Sequence, residues 1–292
     1  MTVRPSHLPR LRRQTLRFLN DPESSLRAKT NPGTAPGLDA LASHLEAADL
    51  YWVGQDMSAL AMHSGGQLAA ARWATADRPS SCGLLFWEDG IGHMDAQGVQ
   101  IPVEACVWGP HEGGLLLWLL MSRSRLAAEV ARIGRYEVAE DEIPPLIPIC
   151  AATLPVTTEP ASLAEVDPQL PQPVVAALAA AWLLMQQPQL VDRTQGRADK
   201  PTARAYARDG LPAPEVSIVD LRRQYTPQDQ DADEGGDPPR RYRHRWVVSG
   251  HWRNQAHGPD HSLRRKTWVP AHMKGPDGAP LLATERVNVW RR

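Results

Sequence analysis

The chain is 292 residues long, with 42% hydrophobic and 22% charged residues, so one large domain or two modest ones can bury a sizeable core. Twenty-seven prolines weigh against a helical bundle, and three widely spaced cysteines (Cys82, Cys106, Cys150) without a CxxC pair exclude a disulfide framework and a cysteine-based zinc site. The net charge of −1 conceals an asymmetry: residues 239–292 hold 12 Lys and Arg against 3 Asp and Glu, residues 1–29 hold 7 against 2, and 30–238 carry a net of −15.

The N-terminal stretch contains arginines but lacks the apolar core of a secretory signal. The longest apolar runs, Gly114–Met121 and Val174–Met185, fall short of the roughly 20 residues that span a bilayer. A cytoplasmic location with no membrane partner is expected.

In chain order, Leu8–Leu19 reads as a short basic helix, with Leu8, Leu11, Leu16 and Leu19 near helical spacing and Arg10, Arg12, Arg13 and Arg17 around them. Pro22 stops it, and Pro32, Gly33, Pro36 and Gly37 mark a linker over 30–37. From Leu38 to about His63, the recurrence of Leu38, Leu41, Leu45 and Ala48 predicts helix with one apolar face. Gly83–Trp87, Glu104–Trp108 and Gly114–Met121 are short apolar runs between Gly-rich turns, which predicts buried or half-buried strands in an antiparallel meander. Ser122–Ile133 reads as a helix. Pro144–Cys150 reads as an edge strand, because its prolines cannot donate to a ladder. Pro173–Gln187 is the clearest helix, apolar on several sides. A short helix over Ala198–Arg208 and a strand-like run over Glu215–Arg222 follow. Gln228–Pro238 is acidic with a Gly pair and reads as a linker.

Residues 239–292 hold 5 of the 10 His and 4 of the 10 Trp. In RRYRHRWVVS (240–249), a strand places Arg241, Arg243 and Arg245 on one face and Tyr242, His244, Trp246 and Val248 on the other. Gly250 interrupts the run, His251-Trp-Arg-Asn follows without an assigned element, and Gly258, Pro259 and Asp260 mark an excursion. Leu263–Pro270 supplies a second basic strand, and Ala283–Trp290 can close a third. The fold class expected is α+β, in four parts: a basic N-terminal helix and linker (1–37), an acidic body of helices and antiparallel sheet (38–222), an acidic linker (223–238) and a small basic antiparallel β module (239–292).

The pattern Gly-His-Trp-Arg (250–253) followed by Trp-Val-Pro-Ala-His-Met-Lys-Gly-Pro (268–276) resembles the C-terminal end of uncharacterised proteins from actinobacterial genomes and mobile elements. The resemblance covers roughly the last fifty residues and implies no activity.

A net of +9 in the C-terminal stretch exceeds what solubility requires and points to a polyanion. Arg241, Arg243, Arg245, Arg253, Arg264, Arg265, Lys266 and Lys274 form a phosphate-contacting surface if the strands pair, each contact releasing counterions. Trp252 joins that set as a side chain able to stack on bases. Non-catalytic binding of RNA or DNA is the leading expectation. One alternative is a protein-interaction component whose basic module docks on an acidic protein partner. Another is a metal-independent ribonuclease, with His251 and His272 as general base and acid beside Arg253 and Lys274. No metal or other cofactor is expected. Gly258 and Pro259 break the helix that His257 and His261 would need to share a metal, and the run Asp229, Asp231, Asp233 lacks the Gly and Glu positions of a calcium loop. The body contains no P-loop, GxGxxG, GxSxG or HExxH motif. Glu88 and Asp89, before Gly90, read as a turn rather than as catalytic carboxylates.

Overall fold

Strands covered on both faces show unbroken apolar runs instead of alternation, and the first of two units in this protein is built from such strands. The computed structural model describes residues 3–28, 30–31, 33–68, 72–73, 77–133, 142–156, 161–162, 170–222 and 246–274. The chain divides into the units Met1–Arg222 and Arg223–Arg292. In the first, seven strands form one mixed sheet: β1 (Asp49–Val53), β2 (Gly83–Trp87), β3 (Ala105–His111), β4 (Gly114–Ser122), β5 (Leu146–Pro155), β6 (Val191–Gly196) and β7 (Val216–Leu221). Their order is β6-β7-β1-β2-β3-β4-β5. β1 lies parallel to both β7 and β2, and the other neighbours are antiparallel. With its helices, the protein is α+β.

The meander expected over 83–121 is present as β2-β3-β4, and β5 extends it at the sheet edge. Between Leu119↔Cys150 and Leu120↔Pro148 the register shifts by one residue of β5, so Pro148 sits beside a bulge. The helix expected from Leu38 to His63 is corrected. Helix α2 (Ala35–Ala47) ends early, β1 intervenes, and helix α3 (Gln55–Leu68) restarts the periodicity. The aromatic and β-branched run Tyr51-Trp52-Val53 suits a pleated surface, and β1 gains a ladder on each side. The linker expected over 30–37 is also shortened, because α2 begins at Ala35 with Pro36 in its first turn.

Alternate residues of the sheet divide between two cores. Leu50 and Trp52 of β1, Leu84 and Phe86 of β2, Val107 of β3 and Trp118 of β4 join Leu8 and Leu19 of helix α1 (Leu8–Asn20) and Leu38, Leu41 and Leu45 of α2 in one cluster. Trp52 stacks on Phe86 at 5.1 Å there. Through Leu8 and Leu19, α1 belongs to this core. On the opposite face, Trp108 of β3 meets Tyr51 at 5.9 Å and Trp182 of helix α5 (Gln172–Met185) at 5.2 Å. Every residue of α5 from Val174 to Met185 is buried, which accounts for its apolar residues on all sides. Helices α3 and α5 approach so closely that a Cβ on Gly65 would lie 2.8 Å from the Ala176 backbone. Helix α4 (Arg123–Ile133) follows β4, and helix α6 (Lys200–Arg208) connects β6 to β7. Among the described residues, no helix is long and apolar enough to cross a membrane.

In the second unit, β8 (Trp246–Val248) pairs with β11 (His272–Lys274), and β9 (His251–His257) pairs with β10 (Leu263–Val269), both antiparallel. One register runs through both pairs, from Trp246↔Lys274 through His251↔Val269 to His257↔Leu263, always centred on Asp260. The four strands are therefore one long ribbon, interrupted where Ser249-Gly250 faces Pro270-Ala271. Pro270 has no N–H to donate, which explains the gap in the ladder. A short 3₁₀ turn over Pro259–His261 closes the ribbon, with Gly258 at φ 78° and Asp260 and His261 also in the left-handed region. His251–His257, to which the sequence reading assigned no element, is thus the strand that pairs with the second basic run. Of the expected first strand (240–249) only Trp246–Val248 lies within described strand, and the third (283–290) falls outside the described residues.

Candidate nucleic-acid interface

A two-stranded ribbon has two faces, and directly opposed residues share one. On β9 and β10, one face carries Trp252, Asn254 and Ala256 opposite Trp268, Lys266 and Arg264. The other carries His251, Arg253, Gln255 and His257 opposite Val269, Thr267, Arg265 and Leu263.

The first face is closed at its tryptophan end. Trp268 is 3% exposed, and its ring meets Trp252 edge-on with centroids 5.3 Å apart. A Cβ on Gly250 would lie 2.7 Å from the Trp268 ring, so a glycine lets the indole cover the backbone there. An aromatic cross-strand pair of this kind contributes about 0.5–1.5 kcal/mol beyond its buried area. Trp252, expected as a base-stacking side chain, is held in this pair. The Lys266 Nζ on the same face is buried. Arg264, nearer the turn, is exposed and donates Nη1 to the carbonyls of His261 (2.7 Å) and Leu263 (3.3 Å), which ties it to the end of the ribbon.

The second face is open. His251, Arg253, His257 and Arg265 are exposed, while Gln255 and Thr267 are partly exposed between the two arginines. Arg253 lies opposite Thr267 and Gln255 opposite Arg265, so the four side chains form a checkerboard of two cations and two hydrogen-bonding groups. Asp260, in the turn, is the only Asp or Glu between residues 246 and 274.

Of the predicted contact residues, Arg253 and Arg265 come together on the open face. Arg264 and Lys266 lie on the other, and Lys274 ends the ribbon opposite Trp246. Arg241, Arg243 and Arg245 lie outside the described residues. Gln255 and Thr267 were absent from the sequence reading. The signal for them was the equal distance of Trp252 and Trp268 from Asp260, which sets the register and with it the partners of each arginine.

His251 shares a face with Arg253, and His272 has the same parity as Lys274, as the ribonuclease alternative required of each pair. The common register nevertheless assigns the two histidines opposite parity, since His251 faces Val269 and His272 faces Val248. Each Nδ1 donates to a carbonyl two residues earlier, His251 to Ser249 (3.1 Å) and His272 to Pro270 (3.0 Å). The ribbon does not bring them to one face. Among the described residues, no three His, Cys, Asp or Glu side chains are grouped to hold a metal ion.

The other basic segment is arranged differently. On α1, Arg12 donates Nη1 to the Ala48 carbonyl (3.1 Å) and Nη2 to the Tyr206 hydroxyl (3.3 Å). Arg13 pairs with Asp209 at 2.5 Å and lies 5.3 Å from the centre of the Tyr206 ring. Arg10 lies 4.0 Å from Asp199, the residue that caps α6 by accepting from the Thr202 N–H at 2.8 Å. Burial would raise the Asp199 pKa, but the Thr202 hydrogen bonds and the charges of Arg10 and His7 outweigh it and hold it below the usual carboxylate value.

Glu88 and Asp89, at the end of β2, have structural partners too, Glu88 through its carboxylate and Asp89 through its backbone. Glu88 accepts from the Gln55 N–H at 3.2 Å at the start of α3, and the Asp89 carbonyl accepts from Arg125 at 3.3 Å. Compared with protein-family models and with curated proteins, the chain matches none.

Proposed function

We propose that the protein is a non-catalytic nucleic-acid-binding protein of the cytoplasm whose contact surface is the open face of the β9–β10 ribbon. The observation that carries this reading is the exposure of Arg253 and Arg265 on one face of the strand pair. Exposed guanidinium groups attract phosphate, and each phosphate contact releases condensed counterions. The high charge of residues 239–292 adds to the same electrostatic attraction.

Fluorescence anisotropy of the full chain against labelled single- and double-stranded oligonucleotides, at two salt concentrations, tests the proposal. Binding at low salt is expected, weakening linearly in log K against log salt with a slope near −0.9 per phosphate contacted on duplex DNA. If no oligonucleotide binds at low salt, the proposal is overturned.

A further inference from the structure

Resting on that reading for its partner, we infer that helix α6 carries a second nucleic-acid contact, a row of Lys200, Arg204 and Arg208 that holds the phosphate backbone without reading sequence. The three cations recur every four residues, so they run along one side of the helix at steps of about 6 Å. All three are exposed. The helix contains no acid of its own, and the acids at its two ends face α1: Asp199 lies 4.0 Å from Arg10, and Asp209 lies 2.5 Å from Arg13. Among the described residues, no carboxylate lies within 4.0 Å of Lys200, Arg204 or Arg208.

The row works against the helix that bears it. Like charges four residues apart repel, and Lys200, at the first position, stands where the helix dipole disfavours a cation. An outside polyanion relieves both. The opposite side of α6 is fixed. Thr202 and Tyr206 are buried, and the Tyr206 hydroxyl donates to the Pro9 carbonyl at 3.3 Å while accepting from Arg12. That anchoring selects the partner. A helix on a membrane surface binds by burying its apolar face among acyl chains, and here that face is covered by α1. A nucleic acid asks only for cations in line with its repeating charge, each contact releasing counterions. Tyr206, the one aromatic residue of α6, is turned inward, so the exposed side offers bases nothing on which to stack. Contacts of this kind position a backbone and carry no sequence information.

The test uses the full chain and compares it with Lys200→Gln/Arg204→Gln/Arg208→Gln, in which glutamine keeps the helix propensity and removes the charge. Anisotropy against two DNA duplexes of unrelated sequence is followed as salt is raised. The triple variant is expected to bind both duplexes roughly tenfold or more weakly at low salt, equally for the two, with a log–log salt slope shallower by about 3. A control, Arg17→Gln/Arg132→Gln/Arg222→Gln, removes the same charge from scattered exposed positions and is expected to change the slope by less than one. The thermal midpoint reads the fold. Should the triple variant unfold, Arg204→Gln alone carries the test, with a slope shallower by about one. An unchanged slope in the row variant, or an equal change in the control, overturns the inference and leaves the ribbon reading standing. Unchanged DNA binding with lost affinity for phosphatidylserine vesicles or for poly-glutamate assigns the row to a membrane or an acidic protein and overturns it too. Absence of binding by the unaltered chain overturns both.

Discussion

Helix α1 and the C-terminal ribbon are both rich in arginine, and the two regions expose those side chains to different extents. On α1, Arg10 and Arg13 lie within 4.0 Å of carboxylates and Arg12 donates to two oxygens, most of these groups belonging to α6 or the turns beside it. The charge of the helix is engaged in holding α6 against the first core. On β9 and β10 the arginines stand among Thr, Gln and His, with no acid on either strand. A basic run in a sequence therefore says little about polyanion binding until its carboxylate neighbours are known. Both segments carry the composition of a nucleic-acid surface, and they differ in exposure: Arg10, Arg12 and Arg13 are half-buried, whereas Arg253 and Arg265 are exposed.

The largest effect that tests this contrast is charge reversal on the open face. The double change Arg253→Glu/Arg265→Glu is expected to weaken oligonucleotide binding by about 3 kcal/mol, on the order of a hundredfold, because it removes two phosphate contacts and adds repulsion. Anisotropy reads the loss, and a chemical denaturation curve reads the fold. If binding and folding fail together, these arginines belong with those of α1 and the contrast disappears. Next in size is Arg12→Ala. It leaves the Ala48 carbonyl and the Tyr206 hydroxyl without their cationic donor and is expected to cost about 2 kcal/mol of unfolding free energy, with oligonucleotide affinity unchanged. A fall in affinity at constant stability would move α1 into the binding surface. Slightly smaller is Thr15→Val. The buried Thr15 hydroxyl accepts the Leu146 N–H at 3.2 Å at the start of edge strand β5, so the change orphans a buried donor and costs about 1–2 kcal/mol by the same measurement.

What could be read in the sequence followed from local periodicity. Leu8–Asn20, β2, β4 and α5 carry long or unbroken patterns, and each forms within a residue or two of its expected bounds. β1 was hidden because Ala47-Ala48 continues the apolar spacing of α2 while Gln55–Leu68 is itself helical, so Leu50–Val53 read as one turn of a longer helix. Its strand character depends on ladders to β2 and β7, the latter more than 150 residues away. The ribbon was half legible for a similar reason. Composition marked residues 239–292 as basic, but His251, Asn254 and His257 obscured the alternation of β9, and only the pairing with β10 separates Arg253 and Arg265 from Arg264 and Lys266. Charge density is a property of composition, whereas the face on which a charge stands is a property of register.

The smallest expected effect bears most directly on what an arginine beside a carboxylate contributes. A double-mutant cycle on Arg13→Ala and Asp209→Ala isolates their pairing from the Arg13 contact with the Tyr206 ring, because only the coupling between the two positions survives the subtraction. Asp209 is 49% exposed, so solvent screens the attraction and the coupling is expected to be only about 0.5 kcal/mol despite the short contact. It should shrink further as salt is raised toward 1 M. A coupling above about 2 kcal/mol, insensitive to salt, would mean that the pair is shielded and that α1 is neutralised far more firmly than an exposed ion pair allows. A coupling of zero would leave Arg13 held by the aromatic ring alone, with its charge available to an outside phosphate, and the difference between the helix and the ribbon would then rest on Arg10 and Arg12.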